Sequence, residues 1–567
     1  MKNKKRKLNI KKVLICLIVI VVVMGALIIG LFKGFIFLKE KLVNPTNTAY
    51  IASTDSAIEL YDMTYKAFDK INRGSEVSLY KKYVINEETK EKFSKINYKG
   101  KKYLIKKDST VTKRIDAVLE KELYIRTAVT VYKNSDNPDI LSFIKKGEKV
   151  EITGYDKLND DGKVTMYKVK YNEIEGYVYS RYLVNTKELS LKNYDEEGNY
   201  VIHSSKLADP YKVGMADKLD FYPNEKPKFE NNIMPPTAKT LYINGSAISN
   251  ADSYIKVAKN IGANAFVVDI KDGVLAYKSE IAKEYTNYAY DRSLNSLENY
   301  KANVKKLKDA GFYVIGRIVV FNDTHYAQDN KNDVIIYKNS GQLFGGQYWL
   351  TPYSRNVWEY NVKLALEAVK EVGFNEIQFD YVRFPDRTTS VNHLLDFRDK
   401  YGETKAEAVQ NFLIYATNEL HKVGVYVGVD VFGESAGAYV TGYGQYWPAI
   451  SNVVDVISGM PYPDHFNAHA YGIKEIVWTV PEKLMTFWSA DVSKRQQTIA
   501  TPALVRTWIQ SYNAIHSPNI VYGDAEIKAQ IKGLYANGLT GGWMTWSSSS
   551  NLEKYSSFTT AFKENYE

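Results

Sequence analysis

Cysteine and histidine are scarce in this sequence, and their scarcity excludes several kinds of site. The only cysteine among the 567 residues is Cys16, so neither an intrachain disulfide nor a cysteine-based metal site can form. The seven histidines include no H-E-x-x-H motif. His465 and His469 are four residues apart, but a nearby proline and asparagine indicate a loop. We therefore predict neither a metal centre nor a cofactor.

Signatures of nucleotide-binding proteins and serine esterases are also missing. No G-x-G-x-x-G motif follows a predicted strand, and no G-x-S-x-G elbow is present. Asp323, Asp329 and Asp333 lack the spacing of an EF-hand. The net charge is +10, but seven positive charges lie in the first twelve residues, so the remainder is only mildly basic. We therefore expect no nucleic-acid partner.

One long apolar run stands near the N-terminus. Residues 13–32 carry no charge, and about twenty apolar residues span a bilayer core. Lysines crowd the preceding residues 1–12, so the positive-inside rule predicts a cytoplasmic basic tail, a single transmembrane anchor and an extracytoplasmic remainder. We predict a single-pass protein of the cell membrane. A cleaved signal peptide is the alternative, although no A-x-A site follows the run.

The region after the anchor contains a duplication. The I-x-x-G-x-x-V pattern around Gly74 recurs around Gly147, and the K-x-x-Y segment ending at Tyr98 recurs at Tyr171, each with an offset of 73 residues. The second copy ends in G-Y-V-Y-S-R-Y-L from Gly176, and this ending with the glycine turn resembles the bacterial SH3 module. We predict a degenerate SH3-like module at 47–112 and an SH3-like module at 120–187. The resemblance implies binding to the cell wall, and a rigid spacer is the alternative.

Residues 188–238 are rich in charge and proline and are predicted to be a linker. Beyond them, strand and helix patterns alternate, which predicts an α/β (β/α)8 TIM barrel at 239–567; an open doubly wound sheet is the alternative. The predicted strands are 240–244, 265–271, 313–320, 376–382, 426–432, 454–460, 498–501 and 542–546. The predicted helices include 297–310, 358–372, 406–422, 473–486 and 525–536, and four of them are followed by a glycine suited to a left-handed cap: Gly311, Gly373, Gly424 and Gly538.

Charged and aromatic residues gather where the predicted strands end, and barrel enzymes place their sites at that rim. Alternation along strand two predicts that Asp269 and Lys271 share one face. The other residues expected at the rim, in strand order, are Arg317, Asp380, Arg383, Asp430, Glu434, Tyr462 and Trp546.

Two strings within this pattern resemble a known family. They are F-V-V-D-I-K-D from Phe266 and F-D-Y-V-R-F-P-D from Phe379. Both are similar to those of the putative glycosyl hydrolase family of bacterial proteins, once described only as a domain of unknown function. The resemblance covers about 239–562 and implies a barrel related to sugar-cleaving enzymes.

A pair of carboxylates is what glycosidic cleavage requires, because one donates a proton and the other attacks or activates water. We predict that Asp380 is the nucleophile or base and that Asp430 or Glu434 donates the proton, with Asp430 preferred. Arg317 and Arg383 are expected to hold Asp380 ionised, since a nearby positive charge lowers a carboxyl pKa. The predicted substrate-binding residues are Asp269, Lys271, Arg317, Arg383, Tyr462 and Trp546.

The predicted function is therefore a membrane-anchored, extracytoplasmic glycoside hydrolase that acts on a cell-wall or surface polysaccharide. Structural roles for the same residues stay open, because Asp380 and Arg383 could close a loop as an ion pair, and Asp269 and Lys271 could pair with each other. A non-catalytic glycan-binding protein, or a scaffold of the cell envelope, is the alternative at the level of the whole protein.

Overall fold

The computed structural model describes residues 10–43, 47–192 and 216–566. Parts of the predicted basic tail (1–9) and of the predicted linker (193–215) lie outside the described residues. The described chain divides into two compact units. One contains the residues up to Leu123 with Glu151–Lys170 and Tyr179–Arg181, and the other contains Tyr124–Val150, Tyr171–Val178 and the residues from Tyr182 onwards.

The N-terminal apolar run forms one long helix, Ile10–Val43. Its segment Ile10–Lys33 is long and apolar enough to cross a membrane, and none of its most apolar window is buried against protein. Apolar side chains exposed on every side of a helix indicate an apolar surrounding. The helix fits a signal anchor or a single membrane span.

The first all-β region is a seven-stranded antiparallel sheet with the strand order β3-β2-β6-β5-β4-β1-β7. Its small core is aliphatic and includes Ile51, Leu60, Ile71 and Ile96. The strands are β1 Asn47–Ile51, β2 Ala57–Tyr61, β3 Ala67–Asn72, β4 Glu76–Ile85, β5 Lys92–Tyr98, β6 Lys101–Lys106 and β7 Thr110–Val111.

The second all-β region repeats this topology strand for strand, in the order β10-β9-β13-β12-β11-β8-β14. The repeated turn glycines also match, because Gly74 N donates to Ile51 O at 2.8 Å and Gly147 N donates to Ile125 O at 2.7 Å. The predicted duplication is confirmed at the level of topology. The strands are β8 Glu122–Ile125, β9 Val129–Tyr132, β10 Ile140–Ile144, β11 Lys149–Tyr155, β12 Met166–Tyr171, β13 Ile174–Tyr179 and β14 Leu183–Val184.

The described end of the predicted linker packs against the barrel. Leu219 and Phe221 are buried in a cluster with Val440 and Tyr446. Asn232 Nδ2 donates to the carbonyl oxygen of Gly424 at 3.0 Å. The predicted linker therefore includes a segment that is held to the barrel by apolar and polar contacts.

The C-terminal region is a parallel barrel with the strand order β24-β23-β22-β20-β18-β16-β15-β26-β25. Only Arg506 separates β24 from β25, so these two short strands occupy one position and the predicted (β/α)8 barrel is confirmed. The barrel strands are β15 Ala238–Ile243, β16 Ala265–Asp272, β18 Tyr313–Val319, β20 Glu376–Asp380, β22 Tyr426–Phe432, β23 Val456–Met460, β24 Leu504–Val505, β25 Thr507–Gln510 and β26 Gly542–Trp546. Three two-residue strands lie outside the barrel wall: β17 Val274–Leu275, β19 Ile336–Tyr337 and β21 Leu395–Asp396.

Two predicted barrel elements are wrong. Residues 498–501 form a turn, and the seventh strand position lies at Leu504–Gln510 instead. The helix predicted at 473–486 begins only at Pro481, a residue type suited to the first helical turn. The glycines at 311, 373, 424 and 538 all have positive φ, as predicted for caps. The barrel-layer helices are Ala251–Ile261, Leu297–Asp309, Arg355–Glu371, Lys405–Lys422, Trp447–Ser451, Pro481–Gln496 and Asp524–Tyr535. Shorter helices are Lys187–Leu191, Glu280–Tyr285, Asn287–Asp291, Thr324–Asp329, Leu552–Ser556 and Thr559–Lys563.

The barrel interior is filled rather than open. Val267, Ile315 and Met544 pack together inside it. A fully buried ion pair lies deeper, where Arg506 Nη1 donates to both carboxylate oxygens of Glu376 at 2.9 Å. The barrel interior itself therefore offers no room for a ligand, and barrel enzymes place their sites at the carboxyl-terminal rim.

Candidate functional site

Arg317 lies at the centre of the rim, on β18. Its Nη1 donates to Asp269 Oδ1 at 2.8 Å and to Asp272 Oδ2 at 3.0 Å. Its Nη2 donates to Asp380 Oδ2 at 2.6 Å, and its Nε lies 3.8 Å from Asp430 Oδ2. One guanidinium thus joins acids from strands β16, β20 and β22. Asp380 and Asp430, the two acids predicted to act as a pair, therefore both lie at Arg317.

A bulge in β16 separates Asp269 from Lys271. The register against β18 shifts between these two residues. An extra residue in a strand reverses the alternation of side chains beyond it. Asp269 and Asp272 therefore both bond Arg317, whereas Lys271 Nζ bonds Asp323 Oδ2 at 2.5 Å. The expectation that Asp269 and Lys271 share a face is wrong, and so is the alternative that they pair with each other.

Asp430 is enclosed at the end of β22. Its side chain is inaccessible to solvent, and its Oδ1 accepts a hydrogen bond from Trp508 Nε1 at 2.7 Å. Its Oδ2 is buried and has no hydrogen-bond partner among the described residues. Burial, reinforced by the negative charge of Asp380, raises the pKa of Asp430 well above its usual range. The enclosed position therefore disfavours the charged form of Asp430.

Asp269 is also buried, beneath Arg317. It accepts a hydrogen bond from the hydroxyl of Tyr242 on its Oδ2. Burial raises the pKa of Asp269 to about 6, although the charge of Arg317 opposes this shift. Asp269 is thus a structural partner of Arg317 and does not line the cavity.

Asp380 ends β20 and reaches the cavity. Its Oδ1 accepts a hydrogen bond from the backbone N–H of Tyr381 at 2.6 Å, which fixes the carboxylate plane together with Arg317. Tyr381 adopts φ 53°, a left-handed conformation that is uncommon for an aromatic residue and often marks a functional constraint. This turn directs the chain away from the barrel directly after the acid.

The structure separates Arg383 and Glu434 from the acids they were expected to join. Arg383 pairs with Asp386 at 3.3 Å and not with Asp380, so of the two predicted arginines only Arg317 forms an ion pair with that acid. Glu434 is exposed and accepts hydrogen bonds from the hydroxyls of Tyr439 and Tyr443, each at 3.0 Å. It does not line the cavity.

A cavity of about 150 Å³ opens above Asp380. Two predicted aromatic residues, Tyr462 and Trp546, lie in its wall, whereas Trp543 packs outside the barrel wall against Phe562. Aromatic faces offer stacking surface for an apolar sugar face. The wall consists of Asp272, Arg317, Asp380, Tyr381, Arg383, Phe432, Met460, Tyr462, His465, Trp508 and Trp546.

Sequence reasoning missed Tyr242, Asp272 and Trp508. Trp508 escaped notice because the seventh strand was predicted six to nine residues too early, and Asp272 because the bulge in β16 was not foreseen. The alternation of polar and apolar residues in Thr507-Trp508-Ile509-Gln510 was the available signal for that strand. Tyr242 stood on a correctly predicted strand, and only its depth in the barrel reveals its role.

The donor set offers little to a metal ion. In the described ranges 10–43, 47–192 and 216–566, no group of three or more His, Cys, Asp or Glu side chains could hold one. The three acids considered for calcium have protein partners, since Asp323 bonds Lys271, Asp329 accepts from Thr286, and Asp333 accepts from Tyr326. The chemistry available at the rim is therefore that of its carboxylates.

Comparison with known proteins gives one family match. Residues 240–552, more than half of the chain, match the family described as DUF4015, putative glycosyl hydrolase domain. The search of curated proteins gives no match.

Several solved structures are also similar. A hypothetical protein from Ruminiclostridium thermocellum ATCC 27405 is 31% identical, with 34% of this chain and 97% of that chain covered and a TM-score of 0.29. The PgaB (BpsB) glycoside hydrolase domain from Bordetella bronchiseptica is 12% identical, with 57% and 99% covered and a TM-score of 0.40. A class V chitinase from Pseudomonas fluorescens Pf-5 is 13% identical, with 58% and 100% covered and a TM-score of 0.36.

Proposed function

Because the chain belongs to the family of the putative glycosyl hydrolase domain, we propose that it is a membrane-anchored enzyme that cleaves a cell-wall or surface polysaccharide outside the cytoplasm. The observation that carries this proposal is the meeting of Asp380 and Asp430 at Arg317, beneath a cavity lined by aromatic residues. Glycosidic cleavage needs two carboxyl groups of different protonation, and the environments of these two acids differ in the required sense.

Asp430 is the proton source in this proposal. Burial raises its pKa and so favours the protonated form, and its unpartnered Oδ2 lies on the side of Arg317 and Asp380. Asp380 is the catalytic residue that contacts the sugar, because it lies in the cavity wall and Asp430 does not. In this proposal a proton moves from Asp430 by way of Asp380 to the leaving glycosidic oxygen. The attacking water supplies the hydroxyl group of the new reducing end, and its remaining proton returns to the acid pair.

Glu434, the alternative proton donor, takes no part in the proposed reaction. It is exposed, and tyrosine hydroxyls bind both of its oxygens outside the cavity wall. Tyr462 and Trp546 supply stacking surface at the cavity, and Arg317 positions the acids rather than the sugar.

The location follows from the helix Ile10–Val43 and the basic residues before it. Lysine and arginine on one side of a span stay in the cytoplasm, which sends the β regions and the barrel outward. The duplicated seven-stranded sheets are SH3-like modules in this proposal and bind the cell wall.

The test is turnover by the full-length protein in detergent on a panel of wall and capsular glycans, read as released reducing ends. We expect release by the wild type and release at least about 100-fold slower by Asp380→Asn, with the fold preserved by circular dichroism. Retention of turnover by Asp380→Asn refutes the assignment of the site.

A glycan-binding protein without turnover is the second candidate. The observation that favours it is the complete engagement of Arg317 by acids around a cavity of only about 150 Å³. Binding of a glycan by both wild type and Asp380→Asn, with no reducing ends released by either, supports this candidate over the enzyme.

A further inference from the structure

Arg383 is a buried cation in the cavity wall. Its side chain is only 6% exposed. Its Nη1 donates to the carbonyl oxygen of Phe384 at 3.1 Å and to Asp386 Oδ1 at 3.3 Å. Asp386 is a weak counterion, because its side chain is 52% exposed and its oxygen lies at the long end of hydrogen-bond distances.

Aromatic rings pack around this guanidinium. Its central carbon lies 4.2 Å from the ring centroid of Phe432, 4.8 Å from that of Trp349 and 5.0 Å from that of Tyr381. Arginine stacks on aromatic faces and then keeps its N–H groups in the ring-parallel plane, free for partners at its edge. The side chain is therefore held in one orientation before any ligand arrives.

One edge of the guanidinium is open. Among the described residues, no hydrogen bond or ion pair engages its Nε or Nη2. Arg383 lies in the wall of the cavity, where a ligand can approach it. Arg317, the other cation of the wall, is different because Nε, Nη1 and Nη2 all donate to carboxylates.

A buried charge is costly unless it is paired, and the fork of Nε and Nη2 matches the two oxygens of a carboxylate. Burial also lowers the pKa of Arg383, which reflects the same desolvation. We propose that Arg383 binds the carboxylate of an acidic sugar, so that the substrate is a glycan containing uronic acid or a similarly carboxylated residue. The choice of substrate class rests on the proposed function, although the binding step does not require turnover.

The test measures binding to matched ligands by calorimetry, with the full-length protein in detergent. The probes are a hexuronate oligosaccharide, the same oligosaccharide with its carboxyl groups reduced to alcohols, and a phosphate-bearing oligosaccharide. We expect the wild type to bind the hexuronate at least about tenfold more tightly than its reduced form, because charge-assisted bidentate pairs are strong. Added salt should weaken only the hexuronate complex.

Arg383→Lys keeps the charge but loses the fork, and it should abolish most of this preference. Arg355→Lys is the matched control, because Arg355 is also buried and lies 4.0 Å from the ring centroid of Trp358, outside the cavity wall. It should leave the preference unchanged. Equal binding of acid and reduced forms by the wild type, preference for the phosphate probe, no binding of the hexuronate, or an unchanged preference in Arg383→Lys each overturns the proposal.

The failure of this inference and of the proposed function can be told apart. Asp380→Asn should keep the preference for the hexuronate while releasing reducing ends at least about 100-fold more slowly. A wild type that prefers the hexuronate but never cleaves a glycan retains the acidic-sugar site and loses the enzymatic assignment. If the wild type cleaves a neutral glycan but does not bind the hexuronate, the enzymatic assignment is retained and the acidic-sugar site is lost.

Discussion

Arg317 donates two hydrogen bonds to one oxygen of Asp380, from Nη2 at 2.6 Å and from Nε at 3.2 Å. The other oxygen of Asp380 accepts the backbone N–H of Tyr381. Both oxygens are thus fixed, and the carboxylate has one orientation at the cavity. Such preorganisation is what a catalytic group needs, because no reorientation precedes the reaction.

Activity should depend on Asp380 and not on Glu434. We expect Asp380→Asn to lower turnover by about 10²- to 10⁴-fold, the usual contribution of an acid–base group. Glu434→Gln is the matched control and should stay within about twofold of wild type, because Glu434 lies outside the cavity wall and its carboxylate accepts hydrogen bonds from Tyr439 and Tyr443. Initial rates of reducing-end release measure both. If Glu434→Gln loses activity and Asp380→Asn keeps the activity of the wild type, the catalytic role belongs to Glu434 instead of Asp380.

The stability of the protein should depend on the protonation of Asp430. Burial raises the pKa of Asp430 above 3.8, so above about pH 4 the unfolded chain loses a proton that the native state keeps. This term lowers the free energy of unfolding as pH rises, by about 1.4 kcal/mol per unit up to the folded pKa. Asp430→Asn removes the term, so the stability of this variant relative to the wild type should increase as pH rises above about 4. Urea unfolding at several pH values measures it, and a constant difference contradicts it.

The hydroxyl of Tyr242 should stabilise the fold through Asp269. Tyr242→Phe leaves a buried carboxylate oxygen without its donor, which should cost about 1.5–3 kcal/mol at pH 7.5. Tyr555→Phe is the matched control, because the hydroxyl of Tyr555 donates to a neutral carbonyl oxygen, that of Tyr242, at 2.9 Å. Its cost should be about 1 kcal/mol. Urea unfolding measures both losses in the free energy of unfolding. Equal losses in the two variants contradict the prediction that the hydrogen bond to the carboxylate is the stronger one.

The ion pair of Glu376 and Arg506 should behave as a unit. Both side chains are fully buried, so Arg506→Met strands a negative charge and should cost about 3–5 kcal/mol. Adding Glu376→Gln should recover most of that loss, and a double-mutant cycle in urea measures the coupling. Lys305→Met removes an exposed pair with Asp309 and should change stability by less than about 1 kcal/mol. Additive losses at the buried pair contradict this prediction.

The helix Ile10–Val43 should determine membrane association. Deleting residues 1–46 should move the protein from the membrane fraction to the soluble fraction, because the exposed apolar surface of the helix is removed. Cell fractionation and immunoblotting measure the change. In intact spheroplasts, protease should digest the barrel of the full-length protein. Protection of the barrel contradicts the proposed orientation, and a truncated protein that stays in the membrane fraction contradicts the anchor.

The barrel could be predicted from the sequence because its strands are short apolar runs followed by acids and its helices end at glycines. Seven of the eight strand positions were located in this way. The prediction of the seventh strand failed because the charged residue Arg506 interrupts that strand. The counterion of Arg506, Glu376, lies 130 residues earlier in the chain. No local pattern reveals that a charge will be buried against a distant partner.

The sequence located the acids at the strand ends, Arg317 and two aromatic residues of the cavity wall, Tyr462 and Trp546. Asp380, Asp430 and Arg317 followed from strand ends and alternation, which are local rules. The face of Lys271 did not follow, because a single bulge reverses alternation and leaves no mark in composition. The separation of Arg383 from Asp380 depends on the left-handed conformation of Tyr381, which no feature of the sequence predicts.

The threefold engagement of Arg317 by Asp269, Asp272 and Asp380 ties three neighbouring strands together at the mouth of the barrel. Mechanical closure of that mouth and the charge state of its acids thus depend on the same side chain. A related protein that had lost enzymatic activity would still need this arginine to hold the strands of the barrel mouth together. Retention of the arginine among relatives is therefore a poor guide to which of them are active, whereas the acid facing the opening is a better one.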